Sequence, residues 1–441
     1  MKAYIWKTGR QLSPFQDPVG EVLILSKPLR VHQANALRSC GLEVAETADP
    51  CSITEEEYLL VADDLYLSRV ALERFLKRIR KTRQPGACAL ESGPFVEFTG
   101  FAQDHRMESV AGCGKPVHVF GLSYCRGPIP APAFLDSLPP VVITARQKPL
   151  PIDPRQFFPS TVEVNFSGAY TDAILIHVRH WVHLWLANLF CLGSELLDAF
   201  TRNKLMFLVR ALSALSFNKY RMFSRFVIKG KGCDIHPSAV VEGCILGNRV
   251  SIGAFSLVRG CILADGVKVN EHSIVALSVL GEGASTSPRG WTKFSVVYPN
   301  SNTPGHALQG CLVGRNVFMA TPSYLYDLKI KGTIKVKHEG RLVDTKMSFL
   351  GSCVGHNAIV GPDTWIASGS EIPNGAVLVK KPSEIISSVP EDLPPGEYLT
   401  CEDATLHPVR SLPATPAKKG TTAGSEASHP SLAWPRPERK E

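Results

Sequence analysis

The sequence predicts a chain in two parts, an N-terminal α/β domain and a C-terminal region of short parallel β-strands, joined by a helical connector. Three observations lead to this prediction. Strand-like and helix-like segments alternate over about the first 150 residues, and similar residue types return every 17 positions from Asp234 to Ser285. Between these regions lies a stretch whose apolar positions are broader than one helix face.

The composition is that of an ordinary globular protein. The chain has 441 residues, of which 44% are hydrophobic and 20% charged, enough for two or three packed domains. The formal net charge of +8 is spread along the chain, with one local cluster from Lys77 to Arg83. We interpret this cluster as the solvated end of a helix, with phosphate contact as the alternative. No basic stripe with interleaved aromatic residues occurs, so we expect no nucleic-acid partner.

The cysteines indicate a reducing compartment, because all 12 are scattered and none forms a CxxC pair. The N-terminal residues do not resemble a charged segment followed by an apolar core and a cleavage site. The most apolar stretch, 181–192, is too short to span a bilayer. We therefore expect a soluble protein with cytoplasmic localisation.

The N-terminal domain is predicted from four segments in order. They are a strand over Lys2–Trp6, a helix over Val31–Cys40 that ends at Gly41, a strand over Glu57–Ala62, and a helix over Ser68–Lys81. Asp63 and Asp64 follow the second strand directly. In a doubly wound α/β domain, ligands bind at the carboxyl ends of the strands, so we expect the site there.

The repeat predicts stacked coils of short strands. Aligning the chain on itself at 17 residues superimposes aliphatic positions, namely Ile235, Ile252 and Val269; Val241, Val258 and Val275; and Leu246, Leu263 and Leu280. Within each period an aliphatic residue recurs about every sixth position, which suits short strands joined by tight corners. Cys244, Cys261 and Ser278 form a further ladder, which we interpret as small core residues rather than a metal site.

Two segments are expected to interrupt the coils. Residues 286–309 are rich in Pro, Ser and Asn and predict an excursion from one coil edge. Residues 323–347 contain alternating residues around Glu339 and Gly340, which predict a β-hairpin. The repeat resumes over 354–377, and long loops on a rigid repeat are common places for function.

The hexads I-H-P-S-A-V, I-G-A-F-S-L and V-G-H-N-A-I resemble the hexapeptide repeat of left-handed parallel β-helix proteins. That resemblance implies three hexads per coil, a homotrimer, and acyl transfer from an acyl donor such as acyl-CoA with a histidine as general base. The candidate bases are His306 on the first insertion, His338 on the hairpin and His356 on a coil. The alternative is that all three are ordinary surface or corner residues.

A second resemblance lies in the N-terminal domain. The segments T-G-R-Q-L-S-P, K-P-L, L-L-V-A-D-D and H-V-R-H-W, in this order, resemble those of sugar-phosphate nucleotidyltransferases, including members fused to a hexapeptide β-helix. The resemblance implies a nucleotide near Thr8, Gly9, Arg10 and Lys27. It also implies Mg²⁺ on Asp63 or Asp64, and a sugar phosphate or sugar nucleotide as ligand.

The sequence also departs from that family. The loop has a single glycine, Gly9, and Pro18, Val19 and Gly20 stand where a lysine is expected. The second carboxylate expected before Trp181 is absent, with His177 and His180 nearby, and histidine is a poor ligand for magnesium.

We therefore expect a transferase-like protein of a sugar-nucleotide or cell-envelope polysaccharide pathway, with nucleotidyl transfer weakened or lost. The alternative is a non-catalytic sugar-nucleotide sensor or scaffold assembled through its β-helix. The connector is interpreted as packing between domains, with peripheral membrane contact as the alternative.

The predicted boundaries follow from these interpretations. They are a degenerate nucleotidyltransferase-like α/β domain over 1–170, a helical connector over 171–230, a β-helix over 231–385, a C-terminal extension over 386–407 and a disordered tail over 408–441.

Overall fold

The computed structural model describes residues 1–101, 106–151, 167–202, 208–209, 212, 223–386, 399–402 and 405–408. The chain divides into two units, Met1–Lys380 and Lys381–Glu441. In the second unit, strands Leu399–Glu402 and Thr405–Pro408 pair antiparallel. Apart from Pro408, the predicted tail over 408–441 lies outside the described residues.

The N-terminal part is a mixed α/β domain around a seven-stranded sheet. Its strands are β1 (Lys2–Trp6), β2 (Glu43–Thr47), β3 (Glu57–Ala62), β4 (Gly86–Glu91), β5 (Met107–Glu108), β6 (Val117–Arg126) and β7 (Pro140–Ile143). The order is β7-β4-β6-β3-β1-β2, with β5 beside β6. Strand β1 runs parallel to both β2 and β3, whereas β6 runs antiparallel to β3 and β4.

Among the residues that the structure describes, four α-helices accompany the sheet: α1 (Leu29–Ser39), α2 (Arg69–Thr82), α3 (Pro94–Thr99) and α4 (Trp181–Thr201). Ser68 caps α2 by accepting a hydrogen bond from the Ala71 N–H, and Gly41 follows α1 with a φ of +76°. The predicted strands over Lys2–Trp6 and Glu57–Ala62 are confirmed, and the two predicted helices are found within two residues of their expected ends.

Short antiparallel pairs complete the domain. They are Gln11–Leu12 with Asp17–Pro18, Leu23–Ile24 with Lys27–Pro28, Leu65–Leu67 with Leu175–His177, and Gln147–Pro151 with Ser167–Thr171. The third pair brings the strand before α4 next to the residues that follow β3. In the predicted connector, helical residues after α4 are described at 208–209, 212 and 223–225.

The C-terminal part consists of parallel strands in stacked sheets, consistent with a parallel β-helix. The first sheet has eight strands: Val227–Lys229, Cys244–Leu246, Ile262–Leu263, Val279–Leu280, Val296–Val297, Leu312–Val313, Cys353–Val354 and Glu371–Ile372. The second has Asp234–Ile235, Ser251–Ile252, Lys268–Val269, Ser285–Thr286 and Asn302–Thr303. The third has Val240–Glu242, Leu257–Arg259, Ile274–Ala276, Trp291–Lys293 and Ala307–Gln309.

Further strands continue the stack. Phe318–Met319, Ile359–Val360 and Val377–Leu378 form one parallel sheet, and Ser323–Leu325 pairs parallel with Thr364–Ile366. The 17-residue alignment is confirmed as strand register, because Ile235 pairs with Ile252, and Ile252 with Val269. Cys244 and Cys261 also stack, and their thiols bond to backbone carbonyls within the core, as expected for core residues.

The expected excursion over 286–309 is wrong, because these residues form regular coil strands. Serine and threonine occupy several inward positions of this coil, where the prediction looked for aliphatic residues. Two of the serine hydroxyls are satisfied inside the stack: Ser295 Oγ donates to the Leu308 carbonyl at 3.1 Å, and Ser301 Oγ donates to the Gly314 carbonyl at 2.7 Å.

The second predicted interruption, over 323–347, is confirmed only in part. Its first residues, Ser323–Leu325, form a strand of the stack. The predicted hairpin is confirmed, with Lys335–His338 pairing antiparallel with Arg341–Asp344. The two coil strands on either side of this departure, Leu312–Val313 and Cys353–Val354, still pair directly.

One hydrophobic core contains residues of both parts of Met1–Lys380, and the interior of the stacked strands forms a second core. Trp185 of α4 donates its indole N–H to the Phe294 carbonyl at 2.6 Å, on the coils. The Tyr298 hydroxyl donates to the Leu23 carbonyl at 3.1 Å and accepts from the Leu23 N–H at 2.7 Å. The first half of α4 is buried, which accounts for its apolar sequence by packing. Among the described helices, none combines the length and the apolar character that crossing a bilayer requires.

Candidate functional site

The ends of β1 and β3 meet at one edge of the sheet. Thr8 follows β1 and Asp63 follows β3, and Asp63 accepts hydrogen bonds from the Thr8 N–H at 3.1 Å and the Thr8 hydroxyl at 2.7 Å. The two strands are parallel neighbours, so their carboxyl ends lie side by side. This contact orders the loop that carries Gly9 and Arg10.

Asp64 is buried and has partners on both of its oxygens. Oδ1 lies 2.8 Å from His177 Nδ1, and Oδ2 accepts from Arg179 Nε at 3.0 Å. Arg10 Nε lies 3.8 Å from the same Oδ2. The carboxylate is therefore held between an imidazole and two guanidinium groups.

The hydrogen bonds define the tautomer of His177. The Gly121 N–H donates to His177 Nε2 at 3.1 Å, so Nε2 is the acceptor and Nδ1 carries the proton donated to Asp64. An imidazole with this tautomer is neutral, so the positive charge that offsets Asp64 comes from Arg179 and Arg10. A Cβ at Gly121 would lie 2.9 Å from the Ala62 Cβ and 3.1 Å from the His177 ring, so only glycine allows this approach.

The two neighbouring carboxyls differ in pKa. Burial would raise the pKa of Asp64, but the contacts with His177 and then with Arg179 outweigh burial and hold that pKa well below its usual range. For Asp63, burial dominates and raises the pKa above its usual value despite the bonds from Thr8. Asp64 is thus the fixed negative charge of the site.

Two cavities adjoin these residues. One, of about 490 Å³, lies over the sheet edge and is lined by Thr8, Asp64 and His177 among others. The other, of about 880 Å³, lies between the N-terminal domain and the coils and is lined by Lys337, His338 and Glu371 among others. Arg10 and Arg179 line both cavities. We call the two together the arginine cleft.

The coils supply a wall of the arginine cleft and are fixed to the N-terminal domain beside it. Glu371 accepts from the Ser13 hydroxyl at 2.9 Å, and its other oxygen lies 3.0 Å from His180 Nε2. Burial would raise the pKa of Glu371, but the contacts with His180 and Ser13 lower it. His180 Nε2 also lies 3.2 Å from the Lys337 carbonyl, so the hairpin is tied to the same histidine.

The structure brings together most of the residues predicted for the nucleotide and the metal. Thr8, Gly9, Arg10, Asp63 and Asp64 all lie at the sheet edge. Lys27 does not join them: it is exposed in the strand Lys27–Pro28 and lines neither cavity of the cleft.

The three candidate histidines lie in different places. His338 lies on the predicted hairpin and lines the arginine cleft. His306 is exposed on a regular coil rather than on an insertion, and its ring stacks on Tyr324. His356 is buried where the N-terminal domain contacts the coils, with Phe15 stacked on it at 4.4 Å.

The contacts of His356 do not suit a general base. Its Nδ1 accepts from the Arg315 N–H at 2.8 Å, so its proton lies on Nε2, which is 3.2 Å from Asp17 Oδ2. Arg315 also pairs with Asp17 at 2.8 Å. The lone pair that a base requires is already used, and the cluster connects the two parts of the chain.

The residues of the arginine cleft do not fit a magnesium ion. Within the described ranges, no group of three His, Cys, Asp or Glu side chains could hold a metal. Both oxygens of Asp64 are occupied by His177 and Arg179, and Asp63 is bound to Thr8. Arginine carries the countercharge here that a cation would otherwise supply.

Arg179 is the residue that sequence reasoning missed. It belongs to the H-V-R-H-W segment, whose histidines were noticed because a carboxylate was expected there. The signal was present in the same segment, since a cation two residues from His177 can compensate a buried carboxylate.

Comparison with models of known protein families finds no match for this chain, and comparison with characterised proteins finds none either. The functional assignment therefore depends on the geometry of the cleft and on the sequence motifs.

Proposed function

We propose that this chain binds a sugar nucleotide or sugar phosphate in the arginine cleft without a divalent cation, and that it has lost metal-dependent nucleotidyl transfer. The observation that carries the proposal is the pairing of buried Asp64 with Arg179 and His177, where a nucleotidyltransferase would need a carboxylate for magnesium. It supports a binding protein with a transferase-like fold.

The charges of the cleft support an anionic ligand. Arg10 is half exposed and lines both cavities, so its guanidinium is accessible to a phosphate. Lys337 is exposed on the hairpin and lines the larger cavity. A diphosphate between these two residues would place its sugar and its nucleoside in the two cavities that meet at Arg10.

The loss of transfer follows from the same contacts. Nucleotidyl transfer builds up negative charge on the leaving pyrophosphate, which must be stabilised by cations free to contact it. Arg179 is already committed to Asp64, and no lysine replaces the one expected near Gly20. The cleft therefore has cationic groups that can bind the phosphates of a ligand, but no further free cation to stabilise a leaving pyrophosphate in the transition state among these described residues.

The coils also have a part in the proposed function, as the surface through which copies of the chain assemble. Their hexads resemble those of left-handed β-helices, and the assembly we propose is a cytoplasmic homotrimer. Support for self-association comes from an apolar ladder on one sheet, in which Phe318 pairs with Ile359, and Ile359 with Val377, all with exposed side chains. The contacts of His356 do not favour it as the base for acyl transfer from acyl-CoA, and we propose a sensor or scaffold role for the coils.

The test is thermal unfolding of the full chain with UTP, GTP, UDP-N-acetylglucosamine and GDP-mannose, each in EDTA and in magnesium, together with an assay for pyrophosphate release. We expect at least one sugar nucleotide to raise the melting temperature equally in EDTA and in magnesium, with no pyrophosphate formed. Magnesium-dependent stabilisation by a triphosphate, or release of pyrophosphate from a triphosphate and a sugar 1-phosphate, would overturn the proposal.

A further inference from the structure

A second concave surface lies on the outside of the coils, separate from the arginine cleft. It has a volume of about 990 Å³ and is formed around the strands Trp291–Lys293, Ala307–Gln309, Ser323–Leu325 and Thr364–Ile366. None of its lining residues lines the arginine cleft. We call it the aromatic groove.

Aromatic rings form a continuous row in this groove. The rings of His306 and Tyr324 stack at 4.9 Å, and Tyr324 lies 4.7 Å from Trp365. Tyr326 extends the row at 5.8 Å from Trp365. Trp365 is 59% exposed and Tyr326 is 49% exposed, so large ring surfaces face solvent. Burial of these rings by a ligand would be favourable.

The backbone holds the rings in fixed positions. Tyr324 pairs with Trp365 across parallel strands, so their side chains leave the same face of the sheet. Trp291 is 49% exposed and pairs with Ala307, whose side chain is small. A preformed, rigid set of rings costs little ordering entropy on binding.

The charged groups of the aromatic groove do not favour an anion. Glu271 and Asp327 are the carboxylates of its lining and Arg289 is its arginine. Because the carboxylates outnumber the arginine, a phosphate would be repelled rather than attracted. The Gln309 amide and the Thr321 hydroxyl add neutral hydrogen-bonding groups at the lining.

We propose that the aromatic groove binds an uncharged oligosaccharide of pyranose rings. A pyranose has an apolar face of C–H groups that stacks on tryptophan and tyrosine, and an edge of hydroxyls that bonds to carboxylates and amides. The row of Tyr324, Trp365 and Tyr326 provides the stacking surface, while Glu271, Gln309 and Asp327 provide the polar edge. The site is independent of the proposed sugar-nucleotide site.

A second copy of the chain fits another surface better. The exposed ladder of Phe318, Ile359 and Val377 is apolar and lies on a different sheet. The aromatic groove, by contrast, is concave and has ionised groups at its lining, which suits a small polar ligand more than a flat protein face.

The experiment is isothermal titration of the full chain with maltotetraose, cellotetraose and tetra-N-acetylchitotetraose, each to millimolar concentration. We expect at least one of them to bind, and the variant Trp365→Ala to weaken that binding by about tenfold, because one stacking surface is lost. The variant Trp365→Phe should retain part of the affinity. Phe318→Ala is the matched control, since it removes an equally exposed ring outside the groove, and it should leave the affinity unchanged.

Three results would overturn this proposal. They are the absence of binding by all three oligosaccharides, equal binding by the wild type and Trp365→Ala, and dissociation of an oligomer by Trp365→Ala in light scattering. The last result would show that the groove is covered by a second copy. None of them bears on sugar-nucleotide binding, which is measured separately at Arg10.

Discussion

At the residue scale, the site depends on how one buried negative charge is compensated. Asp64 has little contact with water, so its ionised form is stable only because Arg179 and His177 contact it. A buried pair of this kind contributes little net stability by itself, but removal of one partner leaves an uncompensated charge.

The first prediction concerns that pair. Arg179→Ala should lower the free energy of unfolding by about 3 kcal/mol, since Asp64 is left buried without its main countercharge. The double variant Asp64→Asn with Arg179→Met should recover most of this loss. Denaturant unfolding of both variants is the measurement, and equal stability of the single and double variants would contradict the account.

The second prediction concerns pH. The pKa of Asp64 is lower in the folded than in the unfolded chain. The ionised carboxylate therefore adds to the free energy of unfolding above the unfolded pKa of about 3.9, and this contribution is lost as the pH falls further, toward the folded pKa. The stability difference between the wild type and Asp64→Asn should therefore shrink below about pH 4. Urea unfolding at a series of pH values measures it.

Asp63→Asn is the matched control for this titration. The folded pKa of Asp63 is raised, so its contribution has the opposite sign: it is present at low pH and is lost as the pH rises through that pKa. As the pH falls, the free energy of unfolding of the wild type should rise relative to that of Asp63→Asn. If the stability difference from the wild type changed with pH in the same direction for both variants, the two carboxyls would share one environment, which would contradict the prediction.

Part of this site was predictable from sequence. Thr8, Asp63 and Asp64 follow two buried strands, and parallel neighbouring strands bring such residues together. The partners of Asp64 were not predictable, since His177 lies 113 positions away and reaches it through an antiparallel pair with Leu65–Leu67. Spacing along the chain contains no information on that pairing.

At the element scale, the coils depend on inward aliphatic side chains that stack in register. Val258 is fully buried between Val241 and Val275, its partners in the adjacent coils, whereas Leu257 next to it is partly exposed. The same strand therefore offers an inward and an outward position for comparison.

We predict that Val258→Ala costs roughly 2 kcal/mol in the free energy of unfolding, because it leaves a cavity between stacked coils. Leu257→Ala should cost less than about 1 kcal/mol, because its side chain is not enclosed. Denaturant unfolding compares the two variants. A larger loss for Leu257→Ala would mean that the outward face is covered.

The hairpin is the element that links the coils to the arginine cleft. Lys337→Gln should weaken sugar-nucleotide binding by about threefold, the size expected for one exposed charge. Lys335→Gln, on the same hairpin but outside the cleft lining, should have no effect. Titration calorimetry measures both, and equal affinities of the two variants would exclude the hairpin from the site.

The repeat could be predicted from the sequence wherever its inward residues are aliphatic. The pattern is lost at 286–309, where Thr286, Thr292 and Thr303 are buried in place of aliphatic residues. The spacing also changes there, because Trp291 pairs with Ala307 and Ser295 bonds to Cys311, each 16 positions on. A search for apolar residues every 17 positions therefore misses this coil, because several of its inward residues are polar and its spacing is 16.

At the scale of the whole molecule, the N-terminal domain and the coils are joined by a common core rather than by a linker alone. Trp185 bonds to Phe294, Tyr298 to Leu23, and Arg315 to Asp17, each across the contact between the two parts. The sequence predicted two parts, but their mutual packing depends on side chains more than 100 positions apart.

We therefore predict that residues of Met1–Lys380 unfold in one cooperative transition. Differential scanning calorimetry should give a single peak whose calorimetric and van't Hoff enthalpies agree. Tyr298→Phe, which removes both bonds to Leu23, should lower the temperature of that peak without splitting it. Two separate peaks in the wild type would show that the parts are independent.

In the proposed function, arginine and not a metal ion provides the charge that binds phosphate in the cleft. The most direct test is titration calorimetry in EDTA of the best sugar nucleotide against the wild type, Arg10→Gln and Lys27→Gln. We expect Arg10→Gln to weaken binding by about tenfold, while Lys27→Gln, outside the cleft, binds as the wild type does. Binding that disappears in EDTA, or that is lost in Lys27→Gln and retained in Arg10→Gln, would contradict it.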